Sequence, residues 1–190
     1  MAIKFKLIAA CCDNMGIGKN GDLPWRLKNE MAHFTRMTTE TLDANKKNVV
    51  ILGRTSWDCI PNKYKPLAGR INFILTSRKL DVSQFEDTYV FYCWNDIVNR
   101  LNDANFKQKY EDVWVAGGSK VYEAAMSSEY FYRLYLTRIK KEFECDTFFP
   151  NLVSHVEKVS DTRVPQGIQE EKGIQWEIEV WENRKLKLDN

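Results

Sequence analysis

Hydrophobic residues along the chain gather into short apolar runs, separated by stretches whose apolar residues keep helical spacing. Residues 4–11 alternate and then become wholly apolar, as a strand buried on both faces does. Between 27 and 42 the apolar side chains Leu27, Met31, Phe34 and Met37 form the stripe of an amphipathic helix. Two compact runs follow, 48–53 and 71–76, then a shorter strand at 89–92 and a helical pattern at 95–101. Residues 113–116 form another apolar strand, broken at Gly117-Gly118-Ser119 before a helical stretch at 120–126. From Phe131 onward the texture changes. Residues 132–139, a run around His155, and 174–182 alternate with period two, as strands with one wet face do. Strand–helix units first and strand–strand units last predict a single α/β domain spanning 1–190. Its sheet is expected to be mixed but mainly parallel, with an antiparallel C-terminal edge and helices on both faces.

The loop after the first strand contains Gly16, Gly18 and Gly21, which match the dinucleotide fingerprint G-x-G-x-x-G. That fingerprint requires its last glycine to open a helix whose free N–H groups hold a pyrophosphate. Asp22, Leu23 and Pro24 follow instead, and Pro24 forces Leu23 into extended geometry. The segment therefore reads as a flexible lid ending at Trp25, with the helix carrying Glu30 beginning just beyond it.

Composition narrows the class. A hydrophobic fraction of 44% argues for a packed globule, and a net charge of +2 gives no overall footprint for nucleic acid. Five cysteines without a C-x-x-C pair, and only His33 and His155, speak against a zinc site or a disulfide framework. Each cysteine reads as a small buried hydrophobe in a reducing, cytoplasmic setting. Lys4 and Lys6 resemble the start of a secretion signal, but the apolar run after them is shorter than the roughly 7–15 residues such a signal needs. No segment approaches the length of a membrane span.

Parallel strands bring their carboxyl ends to one edge, where ligands bind. Past those ends lie the 16–25 loop, Gly53-Arg54-Thr55-Ser56, Thr76-Ser77-Arg78 and Gly117-Gly118-Ser119. Hydroxyls at a helix start cap it in ordinary cases, but together with arginines on the same edge they also suit a nucleotide diphosphate. Arg78 beyond a strand end suits the extra ribose phosphate of NADP. Glu30 is open to two readings: an exposed partner of the helix dipole, or a carboxylate sharing the apolar face with Phe34 and Met37 and able to handle a proton near neutrality. Arg70 is likewise either a surface cation or a fork for a ligand carboxylate.

These residues carry a resemblance. Segments 14–25 (NMGIGKNGDLPW), 34–39 (FTRMTT), 53–57 (GRTSW), 66–70 (PLAGR), 117–122 (GGSKVY), 136–139 (LTRI) and 146–150 (DTFFP) stand in the order and spacing of dihydrofolate reductases, the animal form in particular. The resemblance covers essentially the whole chain. It implies an NADPH-dependent oxidoreductase that reduces 7,8-dihydrofolate to 5,6,7,8-tetrahydrofolate, with hydride passing to pterin C6 and a proton to N5. It further implies a role in one-carbon metabolism and in thymidylate and purine synthesis, sensitivity to antifolates such as methotrexate, and a monomer that needs no metal, membrane or nucleic acid.

By the same resemblance Glu30, partnered by Thr137, holds the pterin, while Leu23 and Trp25 shape the closed loop and the proton arrives through water. Ile8, Ala9, Met31, Phe34, Ile60, Pro61, Leu67 and Tyr122 complete the substrate pocket, and Arg70 takes the α-carboxylate of the glutamate tail. The cofactor falls to Ala10, Ile17, Gly21 and Asp22, to Gly53, Arg54, Thr55 and Ser56, to Leu75, Thr76, Ser77 and Arg78, and to Ala116, Gly117, Gly118, Ser119, Lys120, Val121 and Tyr122. A cis peptide between Gly117 and Gly118 is implied. The chain departs from the family pattern at Met31, where an aromatic is common, and at Ala9 and Ala116, where bulkier residues are usual, which implies a roomier pocket. A short insertion after Trp25 is absent. So is a basic residue near Tyr92 and Cys93, which shifts phosphate recognition toward Arg78 and Arg54.

Two rivals remain. The fold-sharing reductase of riboflavin synthesis also uses NADPH, but Glu30 beyond Pro24-Trp25 together with Arg70 favours a folate. A relative that binds NADPH, folate or RNA without turnover is opposed by the intact Glu30 and near-neutral charge.

Overall fold

Strand β3 (Lys47–Gly53) runs through the centre of the molecule, and every residue of it after Lys47 is buried. Its β-branched and aliphatic side chains alternate between two separate apolar clusters. Val49 and Ile51 enter one, Val50 and Leu52 the other, which is how a strand covered on both faces behaves. The structure, a computed structural model, describes residues 2–187.

Around β3 stand β1 (Phe5–Cys11), β4 (Arg70–Leu75), β5 (Thr88–Phe91), β6 (Tyr110–Val115) and β7 (Phe131–Ile139), all joined by parallel ladders. The antiparallel edge consists of β9 (Val156–Val159), β10 (Gln169–Glu171) and β11 (Ile174–Asn183). The strand order is β10-β11-β7-β1-β6-β3-β4-β5, and β9 also pairs with β11. Helices α1 (Lys28–Thr39) and α2 (Arg54–Cys59) cover one face through Met37 and Trp57. Helices α3 (Trp94–Asn102) and α4 (Ser119–Ser127) cover the other through Ile97, Leu101, Ala125 and Met126. The expected architecture is the one observed.

Four particulars differ from the sequence reading. The alternation of β7 suggested an antiparallel strand, but its inner edge is parallel to β1 and only its outer edge runs antiparallel to β11. The α4 crossover returns the chain to the same end of the sheet, and parallel pairing follows. The 16–25 loop is not wholly free-standing. Its first residues form β2 (Gly16–Gly18), paired antiparallel with β8 (Thr147–Phe148). The short strands β8 and β10, of two and three residues, leave no periodicity to read. Finally, the cysteines are free thiols but not uniformly buried: Cys11 and Cys12 are enclosed, whereas Cys59 and Cys93 are exposed. Among the described residues no helix is long and apolar enough to cross a membrane.

Candidate active site

Strands β1 and β6 are neighbours whose onward connections leave to opposite faces, β1 toward α1 and β6 toward α4. Such a switch point opens a crevice at the carboxyl ends of the strands. One carboxylate is buried there. Glu30, in the first turn of α1, is 6% exposed and accepts a hydrogen bond at 3.0 Å from the hydroxyl of Thr137 on β7. Burial raises the Glu30 carboxyl from 4.5 to about 7; the Thr137 bond pulls the other way, and the charge of Glu171 adds to the rise. On the opposite side, the fully buried Tyr122 hydroxyl of α4 donates to the carbonyl of Ile8 at 2.8 Å. Burial, then the nearby Glu30 charge, pushes the Tyr122 phenol well above its ordinary value, so it stays a neutral donor.

Outward along α1 the crevice meets a second charged group. Arg70, at the start of β4, is only 7% exposed. Its guanidinium donates to the Thr38 hydroxyl at 2.9 Å and the Ala68 carbonyl at 3.0 Å, and it lies 5.8 Å from the centre of the Phe34 ring. Both hydrogen-bond acceptors are neutral, and among the described residues no carboxylate forms an ion pair with it. Burial lowers Arg70 to about 10. An enclosed cation without a counter-charge is costly on its own and suits an incoming anion. Leu67 is held beside it by a pair of bonds with the Asn72 side chain, at 2.9 and 3.1 Å. Ile60 packs at the same side, while Pro61 and Met31 are exposed at the rim.

The lid segment borders the crevice. Trp25 is 3% exposed, packed with Leu27, Ile139, Trp176 and, at the margin, Ala10 and Leu23; its buried indole N–H has no partner among the described residues. Asp22 accepts from the Leu23 N–H at 2.8 Å and pairs with Arg26. Gly21 has φ +74°, a turn that glycine adopts without strain. Ile17, half-buried, packs on the cluster that contains Ala9 and Tyr122.

Along the rest of the edge the backbone is stripped to glycine where chains approach most closely. The Gly53 N–H donates to the Gly117 carbonyl at 2.7 Å, and the Gly117–Gly118 peptide is cis. A Cβ at Gly53 would sit 2.9 Å from Val121, and one at Gly118 would sit 3.3 Å from the Ser56 hydroxyl. Neither α2 nor α4 has a side-chain cap, so N–H groups at both helix starts face this edge with Thr55, Ser56 and Lys120 alongside. Three of the expected groups already have partners. The Thr76 hydroxyl exchanges bonds of 3.1 Å with the backbone of Arg78, the Ser119 hydroxyl donates to the Phe148 carbonyl, and Arg54 grips Asp58 through Nε at 2.9 Å. Ser77 and Arg78 are exposed, and the Arg78 side chain has no partner among the described residues. Leu75 and Ala116 are half-buried and pack on opposite faces of the sheet, the Ala116 N–H donating to the Ile51 carbonyl at 3.0 Å.

The tertiary structure gives a part to two residues that the sequence placed in motifs without assigning them one. Asn14 accepts from the Gly16 N–H at 3.1 Å and donates to the Phe143 carbonyl, and Asp146 accepts from the Asn20 N–H at 2.8 Å, tying the lid to the segment that leads into β8. A partner more than a hundred residues away leaves no local signal. Among the described residues no group of three His, Cys, Asp or Glu side chains is arranged to hold a metal ion.

Known proteins give the same picture. The family described as dihydrofolate reductase matches residues 4–183. The dihydrofolate reductase of Heliothis virescens is 43% identical over 182 residues, covering 94% of this chain and 97% of the relative. That of Sus scrofa is 44% identical over 178 residues, covering 92% and 95%. Among solved structures, Schistosoma mansoni dihydrofolate reductase superposes with a TM-score of 0.84 at 30% identity, covering 96% of this chain and all of that one.

Proposed function

The chain belongs to the dihydrofolate reductase family, and we propose that NADPH is its reductant and that Glu30 anchors the pterin and handles its proton. As a dihydrofolate reductase it converts dihydrofolate to tetrahydrofolate. Bound NADPH would supply the hydride for pterin C6.

The groups on the edge fit a phosphorylated dinucleotide. Gly53 and Gly118 leave a surface that any side chain would crowd, uncapped N–H groups lie at two helix starts, and Arg78 carries a free guanidinium. Arg78 would read the ribose phosphate, with Arg54 contributing the nitrogens that Asp58 leaves open. Ala10, Ile17, Ala116 and Tyr122 would flank the nicotinamide, and the lid from Gly21 to Trp25 would exclude water.

The observation that carries the reading is the buried Glu30 held by Thr137. Thr137 occupies Oε1, so Oε2 remains to accept from the amino and N3 side of a pterin. Because its pKa lies about 7, Glu30 carries a proton in part of the population at neutrality and can pass it through water toward N5. Ile8, Ala9, Phe34, Ile60 and Leu67 would enclose the ring and benzoyl group, with Met31 and Pro61 at the mouth. Arg70, an enclosed cation without a counter-charge, would take the α-carboxylate of the tail. All these groups lie on one chain, so a monomer suffices, and five free thiols fit a reducing, cytoplasmic setting.

The test follows the loss of NADPH absorbance with dihydrofolate, with NADPH replaced by NADH, and with methotrexate added. Turnover that prefers NADPH and is abolished by the antifolate supports the reading. Equal turnover with NADH overturns the cofactor assignment.

A further inference from the structure

Helix α1 begins without a cap of its own. The residue before it is Leu27, an apolar side chain that accepts nothing, and no side-chain cap bond is made from it. The first N–H groups of a helix have no partner within the helix and must find one elsewhere. Here they find one in Glu171, at the end of β10: its two carboxylate oxygens accept the Lys28 N–H at 2.7 Å and the Asn29 N–H at 2.9 Å. The next residue of the helix is Glu30.

Glu171 reaches this point from a rigid support. Lys172 and Gly173 turn the chain between β10 and β11 with φ of +54° and +73°, the geometry of a tight two-residue hairpin. Beyond the turn Ile174 and Trp176 pack into the cluster that contains Trp25 and Leu27. The Lys172 ammonium also donates to the Arg26 carbonyl at 3.4 Å. The hairpin thus grips the chain on both sides of Leu27, between the lid residue Trp25 and the carboxylate of Glu30.

We propose that Glu171 is a positioning residue for this reductase: from the C-terminal hairpin it clamps the first turn of α1 and thereby sets the place of Glu30. The inference rests on the reading of Glu30 given above. The groups that act on the Glu30 carboxyl are Thr137 from β7, Tyr122 from α4 and Glu171 from β10. The charge of Glu171 disfavours the ionised form of Glu30, so its removal moves the proton affinity of Glu30 downward.

The experiment compares the intact enzyme with Glu171→Ala, which removes the clamp, and Glu171→Gln, which keeps its size but not its charge. Amide hydrogen exchange is read at Lys28 and Asn29, and single-turnover hydride transfer is read across pH. The expected result is faster exchange of both amides in Glu171→Ala. In both variants the pH midpoint moves to lower pH, so that rate lost above neutrality returns in acid. Unchanged exchange overturns the clamp. A rate lowered equally at every pH, with the midpoint unmoved, overturns the link to Glu30 and leaves only a structural role. Glu30→Gln is run in parallel. If the pH dependence survives in that variant, the assignment of Glu30 itself fails, a result distinct from either outcome at Glu171.

Discussion

Thr137 and Glu30 lie 107 residues apart in the chain and 3.0 Å apart in the fold, with the threonine hydroxyl donating to a carboxylate that burial would otherwise leave unpartnered. The bond favours the ionised carboxylate while its surroundings favour the neutral acid, and the balance places the group about 7. Thr137→Val keeps the shape and removes the donor. The pH midpoint of hydride transfer should then move upward, and folate binding should weaken by about 1.5–3 kcal/mol, as when a hydrogen bond to a charged group is lost. A pH titration of single-turnover rates checks the direction.

Glu30→Gln should slow hydride transfer on the order of 10²–10⁴-fold, the usual cost of losing an acid–base group. NADPH affinity should be nearly unchanged, because the proposed role of this carboxylate is toward the pterin and not the cofactor. Stopped-flow rates with a cofactor titration give both numbers.

The same residue makes stability depend on pH. A carboxyl at about 7 in the folded state, against 4.5 ordinarily, binds its proton more tightly when folded. Its contribution is therefore complete below the ordinary value and lost as pH rises toward neutrality, by ~3 kcal/mol in all. Glu30→Gln lacks this loss. Denaturant unfolding of the two proteins should diverge with rising pH across that window and run parallel above it.

Arg70→Ala should raise the KM for folates bearing a glutamate tail and spare a tail-less pterin. Steady-state kinetics with the two substrates decide it, and equal losses for both would refute the carboxylate role.

Arg78→Ala should narrow the preference for NADPH over NADH, since its guanidinium has no internal partner to hold it elsewhere. An unchanged ratio of kcat/KM for the two cofactors would assign the phosphate to another residue.

Much of this was legible in advance. The four central apolar runs became β1, β3, β4 and β6 because a strand buried on both faces must be apolar throughout. Glycines with hydroxyls in the first turn beyond them opened α2 and α4, and the glycine fingerprint in the lid opened no helix, as Pro24 dictated. Glu30 and Arg70 each had two readings, because spacing assigns a side chain to a helix face or strand end without saying what covers it. In the fold Glu30 is 6% and Arg70 7% exposed, so neither stands as a surface charge.

The sequence by itself determined the periodic elements and the order in which helices and strands succeed one another, because hydrophobic periodicity and turn chemistry are local. Only the tertiary structure decided which distant groups meet. Thr137 faces Glu30 because β7 pairs with β1 in a register that sets Thr137 opposite Ala10. Glu171 reaches α1 because a two-residue turn and the packing of Trp176 deliver it there. Asn14, just before the lid, and Asn20 within it likewise find their partners, Phe143 and Asp146, in a segment far along the chain. Proton affinities follow from such meetings, since desolvation and facing charge depend on neighbours that the local sequence does not contain.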